Sequence, residues 1–500
     1  MRNRWQYLWP IGGYLGLLLW CFSVLMLVPL AVWAAFKSAG RPEVPGAAYW
    51  VPALIAAAGA LVLKRDLKNP QLDTRRAMVL CALGWIVLSA VGALPFHLAL
   101  RVSFLDAYFE TVSGFTTTGI TVLSGLDDMP RSILFWRSFI QWLGGLGILT
   151  FFLAILYTAG SAHRLYGAES HKVFSRRPAP GLFHTLRILW LIYVVLTAGV
   201  VAALLLAGMA RFDAFSHGMT ALSTGGYSPH DKSIEWYRTC KHVNPAVIEY
   251  ILIVGMTLGG MSFMVHYRLC RGRIKALWDS LEMRLWWLIL AGATGVVMLS
   301  CYLSGKGAAD VHETFRDCLF QVVSLVTTTG FSTRNIATDF GSGAMLVFLV
   351  LMLIGGCVGS TGGGLKVLRI GVLLKMVGRQ IGRLTYGPAV VQPLIVDGDI
   401  VDDEEIKRIA ALFFAWVVLL GFGALVTTLL PVPGAPSARG ALASASGMFS
   451  ALGNIGPCFI DTPEMAKLHW GVKMVYILGM LAGRLEILPL LLLFSPRTWR

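Results

Sequence analysis

Four short segments rich in threonine and glycine have the residue types that could coordinate a dehydrated cation. They align without gaps on a shared glycine, and successive glycines lie between 104 and 126 residues apart. In chain order the segments are Thr116-Thr117-Thr118-Gly119, Ser223-Thr224-Gly225-Gly226, Thr327-Thr328-Thr329-Gly330 and Gly453-Asn454-Ile455-Gly456. Rings of backbone carbonyls can replace the water shell of a monovalent cation, and glycine allows the positive φ that such a turn needs. We therefore predict four turns of one ion selectivity filter, which we call the filter turns. They contain no carboxylate, so they favour K⁺ over a divalent ion.

Each filter turn must be held by the short apolar segment before it. These segments, near 104–115, 212–222, 316–326 and 441–452, are too short to cross a bilayer and suit re-entrant pore helices. Asp106, Asp213 and Asp317 recur at one offset before the glycine, and we predict that they cap the helix starts. Glu110 is expected to brace the first pore helix from behind. The negative helix end would then point at the filter, where it favours a cation.

The composition is that of a polytopic membrane protein. The chain is 56% hydrophobic and 14% charged, with a mean hydropathy of +0.68. Its net charge of +15 arises from basic clusters in every second connection between apolar spans. This pattern follows the positive-inside rule, so charge indicates topology and no nucleic-acid partner. Both termini are predicted to be cytoplasmic, and the first apolar run reads as a retained helix rather than a signal peptide.

The predicted fold class is an all-α integral membrane protein with about ten transmembrane helices. The predicted spans lie near 9–35, 48–64, 77–98, 131–157, 185–209, 247–268, 283–304, 342–377, 406–431 and 466–495. Two N-terminal helices (1–66) precede four helix–pore helix–helix repeats in a pseudo-fourfold arrangement. The repeats cover 77–160, 185–268, 283–377 and 406–500. A cytoplasmic linker (378–405) carries Asp397-Gly398, which predicts a β-hairpin.

A glycine-rich segment in the third repeat is predicted to be a gate. Glycine disfavours a helix, and broken backbone at membrane depth belongs beside a cavity. The predicted gate residues are Gly355, Gly356, Gly359, Ser360, Thr361, Gly362, Gly363 and Gly364, with Arg484 expected to protrude into the pore beside them. Small residues in the other second helices are interpreted as sites of close helix packing.

These motifs resemble the potassium-translocating membrane subunit of the bacterial Trk system, within the superfamily of Trk, Ktr and HKT cation transporters. The segments that support this resemblance most specifically are Ser113-Gly114-Phe115 with the first filter turn, Gly330-Phe331-Ser332-Thr333, Gly359 to Lys366, and Gly453 to Pro457. The resemblance implies four repeats around one pore, a gating loop in the third repeat and a location in the bacterial inner membrane. It also implies a homodimer embedded in membrane lipid and a cytosolic nucleotide-binding partner of the TrkA type. No organic cofactor is expected.

Two alternative functions remain open at this stage. One is K⁺ symport coupled to H⁺ or Na⁺, which no residue pattern decides. The other is an intramembrane lipid-modifying enzyme, which is disfavoured because the acidic residues in the spans do not cluster. We therefore expect no enzymatic activity. Whether Cys240 and Cys458 form a disulfide is also open.

Overall fold

The computed structural model is almost entirely helical. It describes residues 4–36, 43–63, 73–147, 182–308, 310–386, 392–430 and 440–499. The helices are α1 (Arg4–Leu25), α2 (Val28–Phe36), α3 (Ala47–Leu63), α4 (Thr74–Leu100), α5 (Phe104–Phe115), α6 (Arg131–Gly145), α7 (Leu182–Leu206), α8 (Arg211–Leu222), α9 (Pro245–Gly260), α10 (Phe263–Cys270), α11 (Leu281–Leu303), α12 (Val311–Val326), α13 (Ser342–Ile354), α14 (Val367–Tyr386), α15 (Asp403–Leu429), α16 (Gly440–Gly453), α17 (Thr462–Ala466), α18 (Trp470–Arg484) and α19 (Leu488–Phe494).

Five of the described helical stretches are long and apolar enough to cross a membrane. They are Pro10–Phe36, Arg75–Leu100, His184–Leu206, Leu281–Leu303 and Asp403–Leu429, and a bent pair formed by α9 and α10 makes a sixth. The other predicted spans coincide with shorter or interrupted helices, so their count stays a prediction. The basic clusters at 64–68 and 164–177, and the end of the predicted 131–157 span, lie outside the described residues.

The second helix of every repeat ends at its small residues. Helix α6 ends at Gly145, and α9 meets α10 at an angle of 102°. Helices α13 and α14 are separated by residues 355–366, and Leu485–Ile487 separate α18 from α19. The predicted spans at 247–268 and 466–495 are therefore each interrupted at their small residues. Glycine has a low helix propensity, which favours a break at these positions. The backbone groups at the new helix ends then need hydrogen-bond partners outside the helix.

Close packing also contributes at these breaks. A side chain on Gly144, Gly259 or Gly483 would collide with a carbonyl at the end of the short helix of the same repeat. The carbonyls in question belong to Phe115, Leu222 and Leu452. Glycine thus lets the second helix approach the end of the pore helix closely, as is common between membrane helices.

The four short helices lie close to the predicted positions. Helices α5, α8 and α16 begin within a residue of the prediction, whereas α12 begins five residues earlier, at Val311. Each ends directly at its filter turn. Helix α5 buries eight of its residues from Ala107 to Phe115, although it is only 12 residues long.

The three aspartates do not cap these helices, which corrects the prediction. Ser103, Ala210 and Asp310 occupy the N-cap positions. Asp106 and Asp213 lie in the first turns of α5 and α8, and Asp317 lies further along α12, because α12 starts earlier than its sequence pattern indicated.

Each of these aspartates instead binds a basic side chain from another element. Asp106 pairs with Lys473 of α18, and Asp213 accepts from His230 at 3.2 Å. Asp317 pairs with Arg238 and with Arg334, the latter at 3.3 Å. In the first three repeats, the shared offset therefore marks an ion pair that ties the start or middle of the short helix to its surroundings.

The predicted β-hairpin is present in the linker. Its strands β1 (Ile395–Val396) and β2 (Asp399–Ile400) are antiparallel, and Asp397 and Gly398 form the turn with φ of 51° and 89°. Asp397 also accepts a hydrogen bond at 2.7 Å from the backbone of Leu281, at the start of α11. The hairpin is thereby attached to the third repeat.

The N-terminal helices pack directly on the first repeat. The ring centroid of Phe22 lies 5.7 Å from that of Phe115, the last residue of α5. Glu43 accepts hydrogen bonds at the start of α6, from the backbone of Arg131 at 2.9 Å and the hydroxyl of Ser132 at 2.6 Å. A carboxylate there satisfies free backbone N–H groups and faces the positive helix end.

Candidate ion pathway

The four filter turns form a closed ring. Each aligned glycine faces a backbone carbonyl oxygen of the next turn. This carbonyl belongs to the residue that directly precedes the aligned glycine of that next turn. The facing pairs are Gly119 and Gly225, Gly226 and Thr329, Gly330 and Ile455, and Gly456 and Thr118. All four glycines have positive φ, and a Cβ on any of them would lie under 3.0 Å from the facing oxygen. Only glycine fits these positions, for both backbone and steric reasons.

A second position in each turn also adopts positive φ, which the sequence did not indicate. Two residues before the glycine, Thr117, Thr224, Thr328 and Asn454 have φ between 51° and 59°. Threonine is β-branched and rarely adopts positive φ, so a threonine-rich sequence does not predict this conformation. Its recurrence in all four turns means that they share one backbone conformation, and such strain is often found at functional sites.

One backbone contact holds each turn against its pore helix. The carbonyl six residues before the aligned glycine accepts a hydrogen bond from the N–H of the residue just before that glycine. The acceptors are Ser113, Thr220 and Ser324 at 2.9 Å and Ser450 at 3.0 Å. The chain therefore folds back on the last helical turn in the same way four times.

Cavities lie on both sides of the ring. The outer cavity, of about 290 Å³, is lined by the four aligned glycines together with polar residues such as His230, Asp231 and Arg334. The inner cavity, of about 140 Å³, is lined by residues that include Trp85, Gly363 and Arg484. The ring and residues 355–366 thus lie between two spaces large enough for water.

The glycine-rich segment 355–366 lies against the inner side of the ring. The Thr361 hydroxyl lies within hydrogen-bond distance of two carbonyl acceptors, Leu222 at 3.0 Å and Gly259 at 2.9 Å. The Thr224 hydroxyl bonds that of Thr361 at 3.1 Å, and the Gly363 N–H donates to the Thr328 hydroxyl at 2.7 Å. The segment therefore contacts two filter turns directly. It stands between them and the inner cavity.

Three glycines give this segment its fold. Gly355, Gly359 and Gly364 have φ of 76°, 73° and 74°, which other residues rarely adopt. The segment closes on itself through a hydrogen bond from the Gly356 N–H to the Gly363 carbonyl at 3.3 Å. The Cys357 N–H also donates to Gly260 at 2.9 Å. The helix break predicted at these glycines is confirmed.

Arg484 joins the segment to the first repeat. Its guanidinium donates to the Thr361 carbonyl at 2.7 Å, and it also donates to the carbonyls of Gly144 and Gly145 at the end of α6. Both it and Lys366, which bonds the Gly362 carbonyl, line the inner cavity. Arg484 is the last residue of α18, so the helix break places it beside the loop.

A buried ion pair supports the first filter turn from behind. Glu110 accepts from Arg137 at 2.9 Å and from the backbone of Val122 at 3.1 Å, and both charged side chains are buried. Arg137 also stacks over the ring of Tyr227, whose hydroxyl donates to the Glu110 carbonyl at 2.8 Å. The predicted bracing role of Glu110 is confirmed, whereas its partner Arg137 carried no recognised signal.

Asn454 connects the fourth turn to its neighbours. Its amide donates at 2.9 Å both to the Thr118 hydroxyl in the first turn and to the Met480 carbonyl in α18. Its Oδ1 has no hydrogen-bond donor among the described residues. The fourth turn thus uses an amide where the other turns have threonine.

Cys240 and Cys458 are not joined by a disulfide in the structure, and each directs its thiol to a backbone carbonyl. Within the described ranges, no group of three or more His, Cys, Asp or Glu side chains could hold a metal ion.

Known proteins resemble this chain over almost its whole length. A family model described as TrkH, a cation transport protein, matches residues 48–500. The Trk system potassium uptake protein TrkH of Salmonella typhimurium is 33% identical over 98% of this chain and 99% of its own. The Trk system potassium uptake protein TrkG of Escherichia coli is 30% identical over 97% of each.

A solved structure has the same fold. The crystal structure of the potassium transporter TrkH from Vibrio parahaemolyticus superposes with a TM-score of 0.84, at 31% identity, and each chain is covered completely. This match supports the prediction of an all-α membrane protein. The relatives are named as transporters rather than enzymes. The chain belongs to the TrkH family of Trk system potassium uptake transporters.

Proposed function

We propose that this chain takes up K⁺ through a channel-like pore whose filter is the ring of four turns and whose gate is the segment 355–366. That the ion is K⁺ is inferred from the names of the relatives. The proposed pathway is inferred from the ring of four turns. Four turns with one backbone conformation bring carbonyl oxygens together between two cavities, which is the arrangement that replaces an ion's water shell.

The gate proposal rests on the contacts beneath the ring. Thr361 and Gly363 bond the second and third filter turns, and Arg484 fixes Thr361 from the opposite side. Conduction then requires the segment to leave these contacts. The positive charge of Arg484 would add to the electrostatic barrier while the segment stays in place.

We also propose the membrane setting and the assembly. The chain lies in the bacterial inner membrane with both termini in the cytoplasm, so the outer cavity faces the periplasm and K⁺ enters down its electrochemical gradient. The homodimer and the TrkA-type nucleotide-binding partner remain predictions from the family. Exposed apolar residues on α14, among them Leu374, Ile381 and Leu384, offer surface for membrane lipid or a protein contact.

Uptake of ⁸⁶Rb⁺ tests the filter. Cells that lack their own K⁺ uptake systems would express the chain with its cognate cytosolic partner, either unaltered or as Gly330→Ser. A side chain at Gly330 would collide with the Ile455 carbonyl and with Pro457. We expect uptake to fall at least tenfold, or to lose its preference for Rb⁺ over Na⁺.

The matched control is Gly292→Ser in α11. A side chain there meets nothing within 4 Å, so uptake should be unchanged. Uptake that survives Gly330→Ser with intact selectivity, in protein that reaches the membrane, would contradict the proposed filter. An unaltered chain that never transports Rb⁺ with its partner present would contradict the pore itself.

A further inference from the structure

Two buried cysteines face each other in the third repeat. Cys301 lies near the end of α11 and Cys318 lies in the pore helix α12, with their Sγ atoms 4.0 Å apart. Each side chain is 1% exposed.

The backbone on both sides of this pair is held in place. The Cys301 carbonyl accepts from the Lys306 N–H at 2.9 Å, and the Lys306 amine donates to the Phe340 carbonyl at 3.1 Å. On α12, Asp317 precedes Cys318 and pairs with Arg334. The two thiols are therefore held next to each other by the fold.

The pair lies on the side of the outer cavity. Residues 304–310 connect the end of α11 to the start of α12, so both helices meet at the face where the pore helices begin. In the proposed orientation this face is the periplasmic one. Disulfides form and persist in the bacterial periplasm.

We propose that Cys301 and Cys318 form a disulfide that ties the third pore helix to its outer helix. Two S–H bonds break and one S–S bond forms. Two electrons and two protons pass to an exposed disulfide of a periplasmic oxidant, which becomes a dithiol. The reaction takes place while the repeat folds, before the thiols are buried. The crosslink then fixes the helix that carries Asp317 and ends at the third filter turn.

Peptide mapping tests the bond in the unaltered protein. The chain would be purified from membranes, denatured, alkylated without reductant and digested with trypsin. Cleavage after lysine and arginine places Cys301 in Leu285–Lys306 and Cys318 in Asp317–Arg334, with no other cysteine in either peptide. We expect the two peptides to be joined before reduction and separate after it.

Two controls keep the result interpretable. In Cys318→Ser, Cys301 should become available for alkylation without reductant, and the other six cysteines should be alkylated equally in both proteins. Reductant should lower the Tm of the unaltered protein but not that of a Cys301→Ser/Cys318→Ser variant. Full alkylation of both cysteines in unreduced protein would overturn the proposal.

The inference depends on the proposed orientation, and the tests separate the two. Absence of the linked peptide together with Gly330-dependent Rb⁺ uptake would refute the disulfide alone. Presence of the linked peptide without any Rb⁺ uptake would refute the pore and leave the disulfide standing.

Discussion

At the scale of residues, buried charges and hydroxyls set the shape of the filter turns. Glu110 and Arg137 satisfy each other behind the first turn, and Glu110 also binds the backbone that leaves this turn. Removing one partner of a buried pair leaves an uncompensated charge, which costs more than the pair itself contributes. The first turn is therefore sensitive to a side chain that never touches the ion.

We expect Glu110→Gln to destabilise the protein by about 3 kcal/mol, because Arg137 would remain buried without its carboxylate. Thermal unfolding in detergent measures this change. The double variant Glu110→Gln/Arg137→Met should be less destabilised than the single one, since it removes the unpaired charge. Equal destabilisation of the two variants would count against the ion-pair account.

His230 gives the outer face a pH-dependent contact. Burial lowers its pKa, but hydrogen bonds to Asp213 and Asp127 outweigh this effect and raise the pKa above the usual 6.5. The charged form is thus favoured in the folded protein. Its contribution to stability is fully present below pH 6.5 and is lost as the pH rises through the raised pKa.

The prediction is that His230→Gln lowers the Tm more at pH 5.5 than at pH 9. The difference between variant and unaltered protein isolates this group from other titrations. His242→Gln serves as the control, because His242 is exposed in the same outer region. A His230 effect that is equal at both pH values would show that its charge is not responsible.

At the scale of elements, the broken second helices position the segment that we propose as the gate. In the first, second and fourth repeats the break lies where the second helix meets the end of the short helix. In the third repeat the break extends over residues 355–366. The longer break in the third repeat allows Thr361 and Gly363 to reach the filter turns. The break in the fourth repeat is only three residues long, and it places Arg484 in contact with Thr361.

Gly363→Ala should loosen the gate. A Cβ there would collide with the Gly453 carbonyl and with Asn454, so the segment must move away from the fourth turn. We expect a several-fold higher basal ⁸⁶Rb⁺ flux in proteoliposomes. Gly378→Ala, in open space on α14, is the matched control and should leave the flux unchanged. A Gly363→Ala protein that folds and keeps the basal flux would contradict the role of this contact.

At the scale of the whole molecule, the sequence predicted the repeated parts better than the parts that join them. The filter turns and the long glycine-rich break could be predicted because glycine recurs in them at fixed positions. Glycine is needed there because the backbone of one segment packs closely against that of another. Interactions between elements join residues that are well separated in the chain, both across repeats, as in Asp106 with Lys473, and within the first repeat, as in Glu110 with Arg137. No local pattern specifies such pairs, so the aspartates were misread as caps.

The N-terminal helices illustrate the same limit. Their apolar runs predict spans, but not that Glu43 binds the start of α6 or that Phe22 packs on the first pore helix. These contacts make the added helices part of the support of the first filter turn. The apolar pattern of a membrane span does not specify which other helices the span contacts, so it could not indicate that support.

The most direct test of a pore closed by its own loop combines one gate variant with one filter variant. ⁸⁶Rb⁺ flux would be measured in proteoliposomes that contain the unaltered chain, Arg484→Ala, or Arg484→Ala together with Gly330→Ser. Loss of Arg484 removes the hydrogen bond to the Thr361 carbonyl and a positive charge from the inner cavity, so flux should rise several-fold. The added Gly330→Ser should abolish that increase, because the released ions must still cross the ring. Unchanged flux in Arg484→Ala, or an increase that persists with Gly330→Ser, would contradict the account.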